Sequence, residues 1–349
     1  MGKYADSPLW ASVTPIPLDD GADSYATSEG ADAGPIVPLV AIAYSEEYVE
    51  ATAYLRAVMA ADEMSDRALE LTADVISLNP AHYTVWLYRA SIIRALKKNL
   101  HEEIAWLNKI SVQYLKNYQI WQHRQLIMSD SMVFPKIPET ERDFLMQMFS
   151  LDAKNYHVWI YRTWLVTHFG LWDCPRELQD VDILIDSDVR NNSAWNHRWL
   201  LKFSPRDTNI GAREARGRLA VVDEDLVDAE IDYAKKKILI APENRSPWTY
   251  IRGVLRGAGR PMAELKMFAS KFVAEEIEGG EAVKYQVKSS LAVEWLADVL
   301  AEEAKANCKL TDAVQCNAQA VKMLNLLKEK YDPIRKNYWE YRIQAITNV

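Results

Sequence analysis

Apolar residues recur with the period of an α-helix along most of this chain, from about residue 46 onward. The segments LELTADVISL (69–78) and LQDVDILI (178–185) each show the i, i+3, i+4, i+7 spacing of one apolar stripe. Such a stripe buries one face of a helix and leaves the other face polar. The pattern predicts amphipathic helices in roughly these ranges: 63–78, 102–115, 139–151, 175–187 and 224–240.

A second set of helices carries a repeated tryptophan. Its six copies are marked by Trp86, Trp121, Trp159, Trp195, Trp248 and Trp339. The first four stand 35, 38 and 36 residues apart, and the last two follow at longer intervals. An Arg lies three residues after the Trp in five copies, and an Asn lies four residues before it in four. Periods of this size indicate stacked supersecondary units rather than one closed core.

Alternation of the two kinds of helix predicts antiparallel helix pairs, that is, an all-α solenoid. The interval from Trp248 to Trp339 is about two and a half periods long. We therefore expect one further pair around 262–305 that lacks the motif, with Trp295 on its second helix. Six visible copies and one hidden copy give about seven helical hairpins. A polar loop at 204–218 stretches the interval before Trp248.

The start of each Trp helix has a recurring signal seven residues before the Trp. In four copies this position holds a residue type that is preferred at a helix N-cap, namely Asn79, Asp152, Asp188 and Asp332. We therefore expect each Trp helix to begin there, with the Trp packed between neighbouring pairs. The following Arg should be buried and paired with an Asp or a backbone carbonyl of the adjacent repeat. The preceding Asn should bond backbone near the helix start.

The position five residues before the Trp varies in an informative way. It is basic in three consecutive middle copies, as Lys116, Lys154 and Arg190, and it is Ala, Glu or Ile in the others. On the helix start expected above, these residues lie in a first helical turn, where free N–H groups and the dipole favour anions. A solvated basic residue is the default interpretation of any one copy. Three in succession, in a chain of net charge −8, favour an anionic ligand at the middle of one rim.

Polar and aromatic residues accompany two of these basic positions. They are Tyr118 with Gln119, and Tyr156 with His157. Each tyrosine offers a ring edge and a hydroxyl group to a ligand, but partial burial between helices explains it equally well. The six histidines show no zinc-binding spacing, and no nucleotide-binding or hydrolase motif occurs. If the chain belongs to an enzyme, it supplies only part of the catalytic apparatus.

Composition narrows the partners and the compartment. The net charge argues against nucleic acid as a partner. Three cysteines without a CxxC pair suit a reducing, cytoplasmic compartment, and no apolar run is long enough to predict a membrane span. Residues 1–45, rich in Pro and acidic residues, are expected to be extended and partly disordered, chiefly at 24–34, ahead of a helical-repeat domain at 46–349. The apolar segment 35–44 is expected to dock as a strap.

Several of these segments resemble one known family. The stretches KNYQIWQHR (116–124), DAKNYHVWIYR (152–162) and PENRSPWTYIRGVL (242–255) are similar to the repeats of protein prenyltransferase α-subunits. VTPIPLDDG (13–21) and VPLVAIAYSEEY (37–48) resemble the N-terminal region of the α-subunit shared by farnesyltransferase and geranylgeranyltransferase type I. The resemblance extends from about Trp10 to the end of the chain.

The resemblance implies a fold and an assembly. The fold would be a right-handed α-α superhelix of seven helical hairpins, forming a crescent around a β-subunit in an obligate heterodimer. That enzyme transfers the prenyl group of farnesyl or geranylgeranyl diphosphate to the cysteine of a C-terminal CaaX sequence in a protein substrate. It uses zinc and, for the farnesyl reaction, magnesium, with the zinc ligands expected in the β-subunit and none in this chain.

The resemblance also implies site residues. Lys154 stands where the family has the lysine that touches the departing diphosphate, and it is the expected catalytic residue. The expected substrate contacts in addition to Lys154 are Asn155, Tyr156, His157, Tyr118, Gln119, Arg190 and Asn191. Two alternatives stay open from the sequence: a non-catalytic α-solenoid scaffold that binds peptide or protein partners, and the Rab-specific α-subunit, which usually carries extra domains.

Overall fold

The computed structural model describes residues 2–17, 42–204, 223–278, 282–306 and 310–347. The chain forms two compact units, Met1–Arg162 and Thr163–Val349. The described residues contain fifteen α-helices: α1 (Glu46–Ala60), α2 (Asp66–Leu78), α3 (Tyr83–Ala95), α4 (Leu100–Gln113), α5 (Tyr118–Met128), α6 (Glu139–Leu151), α7 (Tyr156–Phe169), α8 (Pro175–Ser187), α9 (Asn192–Phe203), α10 (Glu224–Ile240), α11 (Arg245–Ala258), α12 (Lys266–Ser270), α13 (Ser290–Ala306), α14 (Leu310–Leu326) and α15 (Lys336–Thr347). None of the described helices is long and apolar enough to cross a membrane.

After α1, the helices pair as the repeats predict. The even-numbered helices from α2 to α14 are the first helices of the hairpins, and the odd-numbered helices from α3 to α15 carry the tryptophans. Six of the seven repeat tryptophans are at most 4% exposed, and Trp159 is 7% exposed. The prediction of an all-α fold with about seven hairpins is confirmed, and so is the core position of the Trp.

One hairpin departs from the helical pattern. Its first helix, α12, has only five residues, and an antiparallel pair of strands follows, β1 (Val273–Glu278) and β2 (Ala282–Val287). Trp295 lies on α13 as predicted, and it is almost completely buried. The prediction of one degenerate helix pair around 262–305 is confirmed, but the sequence did not predict the two strands between its helices.

The Trp helices begin three residues later than the sequence predicts. Asn117, Asn191 and Asn244, four residues before the Trp, are the N-caps, and each accepts a hydrogen bond from a backbone N–H of the first turn. Asp152 and Asp188, which we expected to be the N-caps, instead end the preceding helices. Asp and Asn side chains suit both places, since each can accept a hydrogen bond from a backbone N–H two or three residues further on.

In three repeats, the Arg that follows the Trp pairs with a glutamate of the next first helix. Arg89 on α3 binds Glu103 on α4 at 2.8 and 2.7 Å, and Arg124 on α5 binds Glu141 on α6 at 2.7 and 2.6 Å. In the second unit, Arg198 binds Glu230 on α10 in the same bidentate way. The prediction of a buried, paired Arg is confirmed for these three, with a Glu as the main partner, whereas the half-buried Arg342 of the last repeat binds Asp298 on α13.

Each of these glutamates also binds a side chain of the following Trp helix, at the position two residues after its Trp. These contacts are His123 to Glu103, Tyr161 to Glu141 and Tyr250 to Glu230, at 2.9, 2.7 and 2.8 Å. Each carboxylate therefore joins two successive Trp helices inside its unit. Because a buried charge is costly unless it is paired, these networks tie the spacing of one hairpin to the next.

The described N-terminal residues, 2–17, pack on α1 and on α2 of the first hairpin. Backbone N–H groups of residues 3–5 donate to the carboxylate of Glu50 at 2.9–3.0 Å. The rings of Tyr4 and Trp10 are buried and meet edge to face with centroids 5.3 Å apart. This segment covers apolar surface at the first hairpin of the array.

Several sequence predictions fall on residues outside the described set. They are the disorder expected at 24–34, most of the strap expected at 35–44, and nearly all of the polar loop at 204–218. The described end of that strap, residues 42–44, is exposed. The division of the chain at residue 45 stays a prediction, although α1 begins at Glu46.

Candidate functional site

Lys154 lies on a tight turn between α6 and α7. The N–H of Asn155 donates to the carbonyl of Asp152 at 3.1 Å and closes the turn. The N–H of Lys154 donates to Asp152 Oδ1 at 3.2 Å, and the carbonyl of Ala153 accepts from the indole of Trp159 at 2.9 Å. The side chain of Lys154 is exposed. Our expectation that Lys154 lies in the first turn of the helix is wrong, because α7 begins two residues later.

Asn155 is buried and serves the backbone. Its side-chain oxygen accepts from the N–H groups of His157 and Val158 at 3.0 and 3.3 Å, and its amide nitrogen donates to the carbonyl of Leu115 at 2.7 Å. Only 3% of the residue is exposed. Asn155 therefore starts α7 and links this turn to the preceding one, and its part in the site is to hold Lys154 and Tyr156 in place.

The preceding turn presents a second cation. The N–H of Asn117 donates to the carbonyl of Tyr114 at 3.2 Å, and Lys116 follows the same geometry as Lys154. The ammonium group of Lys116 lies 3.6 Å from Asp152 Oδ2. The carboxylate of Asp152 thus contacts the backbone N–H of Lys154 and the side-chain ammonium group of Lys116.

Three aromatic rings surround the start of α7. The ring of His157 meets those of Tyr118 and Tyr156 edge to face, with centroids 5.8 and 5.6 Å apart. Tyr118 is 59% exposed and Tyr156 is 66% exposed, whereas Gln119 and His157 are partly buried. Partial burial of the tyrosines between helices, the alternative that the sequence left open, is thus not what the first unit shows.

Burial lowers the pKa of His157, because desolvation disfavours the charged imidazolium. The ring is then neutral near neutral pH, and it can donate one hydrogen bond and accept another. The side chains of Tyr118, Tyr156 and Lys154 are exposed beside this imidazole. This part of the first unit therefore presents a surface that could bind an anion.

The second unit contains the turn that carries Arg190. The N–H of Arg190 donates to Asp188 Oδ1 at 2.8 Å, and the N–H of Asn191 donates to the carbonyl of Asp188 at 2.9 Å. The side chain of Arg190 is exposed, whereas Asn191 is completely buried and caps α9 through the N–H of Ala194. Asn191, like Asn155, positions its basic neighbour instead of facing solvent.

Sequence reasoning missed the aspartates as members of the site. Asp152 and Asp188 precede the basic residue by two positions in D-x-K and D-x-R, and the side chain of each accepts the N–H of that basic residue. An Asp side chain that accepts a hydrogen bond from the backbone N–H two residues further on forms an Asx turn. The D-x-K and D-x-R patterns in the sequence are consistent with such turns.

The described part of the chain does not fit a metal centre. It contains no group of three or more His, Cys, Asp or Glu residues that could hold a metal ion. Glu103, Glu141, Glu177 and Glu230 are bonded to Arg, His or Tyr partners, so they are not open donors.

Comparison with known proteins agrees with this geometry. The model of a family described as "Protein prenyltransferase alpha subunit repeat" matches residues 65–96, 100–130, 138–169 and 174–203. The last three of these stretches contain the three basic turns.

Individual relatives extend the match over nearly the whole chain. The protein farnesyltransferase/geranylgeranyltransferase type-1 subunit alpha of Candida albicans is 38% identical over 312 residues, which cover 88% of this chain and 92% of the relative. The solved structure of Candida albicans protein geranylgeranyltransferase-I complexed with GGPP matches with a TM-score of 0.76 and 33% identity, over 96% of this chain and 97% of that chain. By contrast, the match to the geranylgeranyl transferase type-2 subunit alpha of Bos taurus, 27% identical, covers 59% of this chain and 36% of that protein. The chain therefore belongs to the family of protein farnesyltransferase/geranylgeranyltransferase type-1 α-subunits and is a subunit of a protein prenyltransferase.

Proposed function

We propose that this chain is the α-subunit of a heterodimeric CaaX prenyltransferase and that Lys154 contacts the diphosphate of the prenyl substrate. The observation that carries the proposal is the exposed side chain of Lys154 on a turn that three hydrogen bonds hold, in a chain of this family. Farnesyl or geranylgeranyl diphosphate is the substrate class, and a protein with a C-terminal CaaX cysteine is the acceptor.

The chemistry explains why a fixed cation is useful there. The cysteine thiolate attacks C1 of the prenyl group, the C–S bond forms, and the C1–O bond breaks with its electron pair leaving on the diphosphate. Negative charge therefore grows on the bridging and terminal oxygens as the reaction proceeds. A preplaced ammonium group stabilises this charge without reorganising at the moment of reaction.

The neighbouring residues complete the anion site of the first unit. The start of α7 lies two residues after Lys154, so the helix dipole adds a favourable potential for an anion. Neutral His157 and the hydroxyl groups of Tyr118 and Tyr156 supply uncharged donors beside the cation, and Gln119 adds an amide. Arg190, on its own turn in the second unit, is assigned to substrate contact by the same reasoning.

A surface for a large partner supports the heterodimer. In the first unit, large apolar or aromatic residues are exposed three residues before or one residue after the Trp: Tyr83, Leu87, Tyr118, Tyr156 and Ile160. Exposed apolar residues in such a regular array are typical of a protein interface. We assign this face to the β-subunit, and we assign the zinc and magnesium of the reaction to the heterodimer, with the zinc ligands in the β-subunit.

We further propose a cytoplasmic location. Three cysteines without a CxxC pair suit a reducing compartment. The second candidate function is a non-catalytic scaffold, since the same exposed face could bind another protein.

Coexpression with a β-subunit, followed by single-turnover prenyl transfer to a CaaX peptide, tests the proposal. We expect a 1:1 complex that contains zinc, and we expect Lys154→Ala to slow the chemical step by on the order of 10²-fold while the complex still assembles. Lys136→Ala removes an exposed lysine from a loop of the same unit and is the matched control. An unchanged single-turnover rate in Lys154→Ala would refute the role of Lys154, and a chain that stays monomeric beside every β-subunit would favour the scaffold.

A further inference from the structure

Side-chain contacts hold the turn that carries Lys154, in addition to the backbone hydrogen bond that closes it. The N–H of Asn155 already closes it on the carbonyl of Asp152. The carboxylate of Asp152 adds two contacts: Oδ1 accepts from the N–H of Lys154 at 3.2 Å, and Oδ2 lies 3.6 Å from the ammonium group of Lys116. One carboxylate therefore joins the backbone of one basic residue to the side chain of another.

Turns at the same place in other repeats form without such a carboxylate. Tyr114 opens the turn that the N–H of Asn117 closes at 3.2 Å, and Ala241 opens the turn that the N–H of Asn244 closes at 2.9 Å. Neither residue places a side-chain oxygen on its turn, because Ala241 has none and the hydroxyl group of Tyr114 donates to a distant carbonyl. Formation of the turn does not account for Asp152.

The charge of Asp152 also calls for an explanation. A carboxylate beside an anion site repels the ligand unless its charge is balanced. Lys116 supplies that balance, because its ammonium group faces Asp152 while its side chain is largely exposed. Asp152, Lys116 and Lys154 together carry a net positive charge, so the three still attract an anion while the carboxylate holds the turn.

We propose that Asp152 is a positioning residue for prenyl transfer: it fixes the backbone of Lys154, and Lys116 neutralises it, so that the Lys154 ammonium group meets the diphosphate in one orientation. The inference rests on the diphosphate contact proposed above for Lys154. Asp188 makes the same hydrogen bond to the N–H of Arg190 in the second unit.

The heterodimer with its β-subunit is the material for the test, with the single-turnover rate and the Kd of the prenyl diphosphate as separate readouts. Asp152→Ala removes the turn acceptor, and we expect a rate about tenfold lower at saturating diphosphate, because a misplaced group loses catalytic effect steeply with distance. Asp152→Asn keeps a side-chain oxygen, and we expect it to restore the rate to within about twofold. Asn79 shows in this same chain that an Asn oxygen can make the bond, here to the N–H of Ala81 at 3.1 Å.

Asn79→Ala is the matched control, since it removes the same kind of bond from a turn without a basic residue, and its rate should equal that of the wild type. Lys116→Ala leaves the charge of Asp152 unbalanced, and we expect the Kd of the prenyl diphosphate to rise about fivefold. The double variant Asp152→Asn with Lys116→Ala removes that charge and should return the Kd to near the wild-type value.

The outcomes separate the inference from the function on which it rests. An unchanged rate in Lys154→Ala refutes the proposed diphosphate contact, whatever Asp152 does. If Lys154→Ala is slow, the inference is overturned when Asp152→Ala reacts like the wild type, when Asp152→Asn is as slow as Asp152→Ala, or when Asn79→Ala is equally slow. If Asp152→Ala does not assemble, the Kd of the prenyl diphosphate in Lys116→Ala decides. An unchanged Kd overturns the inference, and so does a raised Kd that the added Asp152→Asn substitution does not lower.

Discussion

The network around Glu141 is the sharpest test of how the hairpins are held together. Arg124 is completely buried, and its guanidinium group donates two hydrogen bonds to Glu141, at 2.7 and 2.6 Å. Tyr161 donates a third at 2.7 Å from the next hairpin. Burial and the Glu141 charge raise the pKa of Tyr161 well above its ordinary value, so the phenol stays protonated and keeps donating.

The expected loss of unfolding free energy depends on which buried group loses its partner. Glu141→Leu leaves the Arg124 charge buried without its carboxylate, and breaking such a pair costs about 3–5 kcal/mol of unfolding free energy. Tyr161→Phe removes one hydrogen bond to a charged group, which costs about 1.5–3 kcal/mol. Glu141→Leu combined with Arg124→Met and Tyr161→Phe removes both charges and the hydroxyl group that would lose its acceptor, and it should recover most of the loss, since well-packed apolar side chains replace such networks at little or no cost.

Urea unfolding of the purified chain, or of the heterodimer if the chain requires it, measures these differences. The exposed pair Lys235 and Asp232, at 3.1 Å, provides the control, because Asp232→Ala should change stability by no more than about 0.5 kcal/mol. The reasoning fails if Glu141→Leu costs less than about 1 kcal/mol, or if the triple variant is as unstable as Glu141→Leu alone.

Two further predictions concern stability. Burial favours the neutral acid of Glu103, but hydrogen bonds from His123 and Arg89 outweigh it and lower the pKa of Glu103, so its contribution is complete above the unfolded-state pKa of about 4.3 and is lost as the pH falls through the folded-state pKa. Urea midpoints from pH 6 to pH 3 should therefore show a difference between the wild type and Glu103→Gln that shrinks in the acid range, and a constant difference would contradict this. Lys97, at the end of α3, has φ of 51°, a left-handed conformation that favours glycine, so Lys97→Gly should stabilise the chain by about 1 kcal/mol. Gly259, with φ of 70°, provides the opposite control, and a lower melting temperature in Lys97→Gly or a higher one in Gly259→Ala would count against the argument.

The sequence was most informative where a chemical pattern had a single structural meaning. A Trp that recurs at a fixed place on a helical stripe can only be buried repeatedly if the units stack, so the hairpins and the role of Trp295 were predictable. The strands β1 and β2 were not predictable, because three of the six residues of β1 are glutamates, a residue type that is depleted in strands.

Residue type alone did not locate the helix starts. Asp152 and Asn155 are both suitable N-caps, and only the geometry shows that the first forms the turn while the second begins α7. The partners of the buried arginines were not predictable either, because the Glu lies 14 residues after Arg89 and 32 after Arg198. Lys154 stays a predicted site residue, and the sequence singles it out because its position is basic in the three middle repeats and holds Ala, Glu or Ile in the others.

The most direct measurement of the central claim is the distance from Lys154 Nζ to the substrate diphosphate in a structure of the heterodimer bound to an unreactive prenyl diphosphate analogue. The account predicts a charge-assisted contact of about 2.7–2.9 Å to a phosphate oxygen. A separation of more than about 6 Å, with the diphosphate held by β-subunit residues alone, would contradict it, since a contact at that distance is no longer a hydrogen bond.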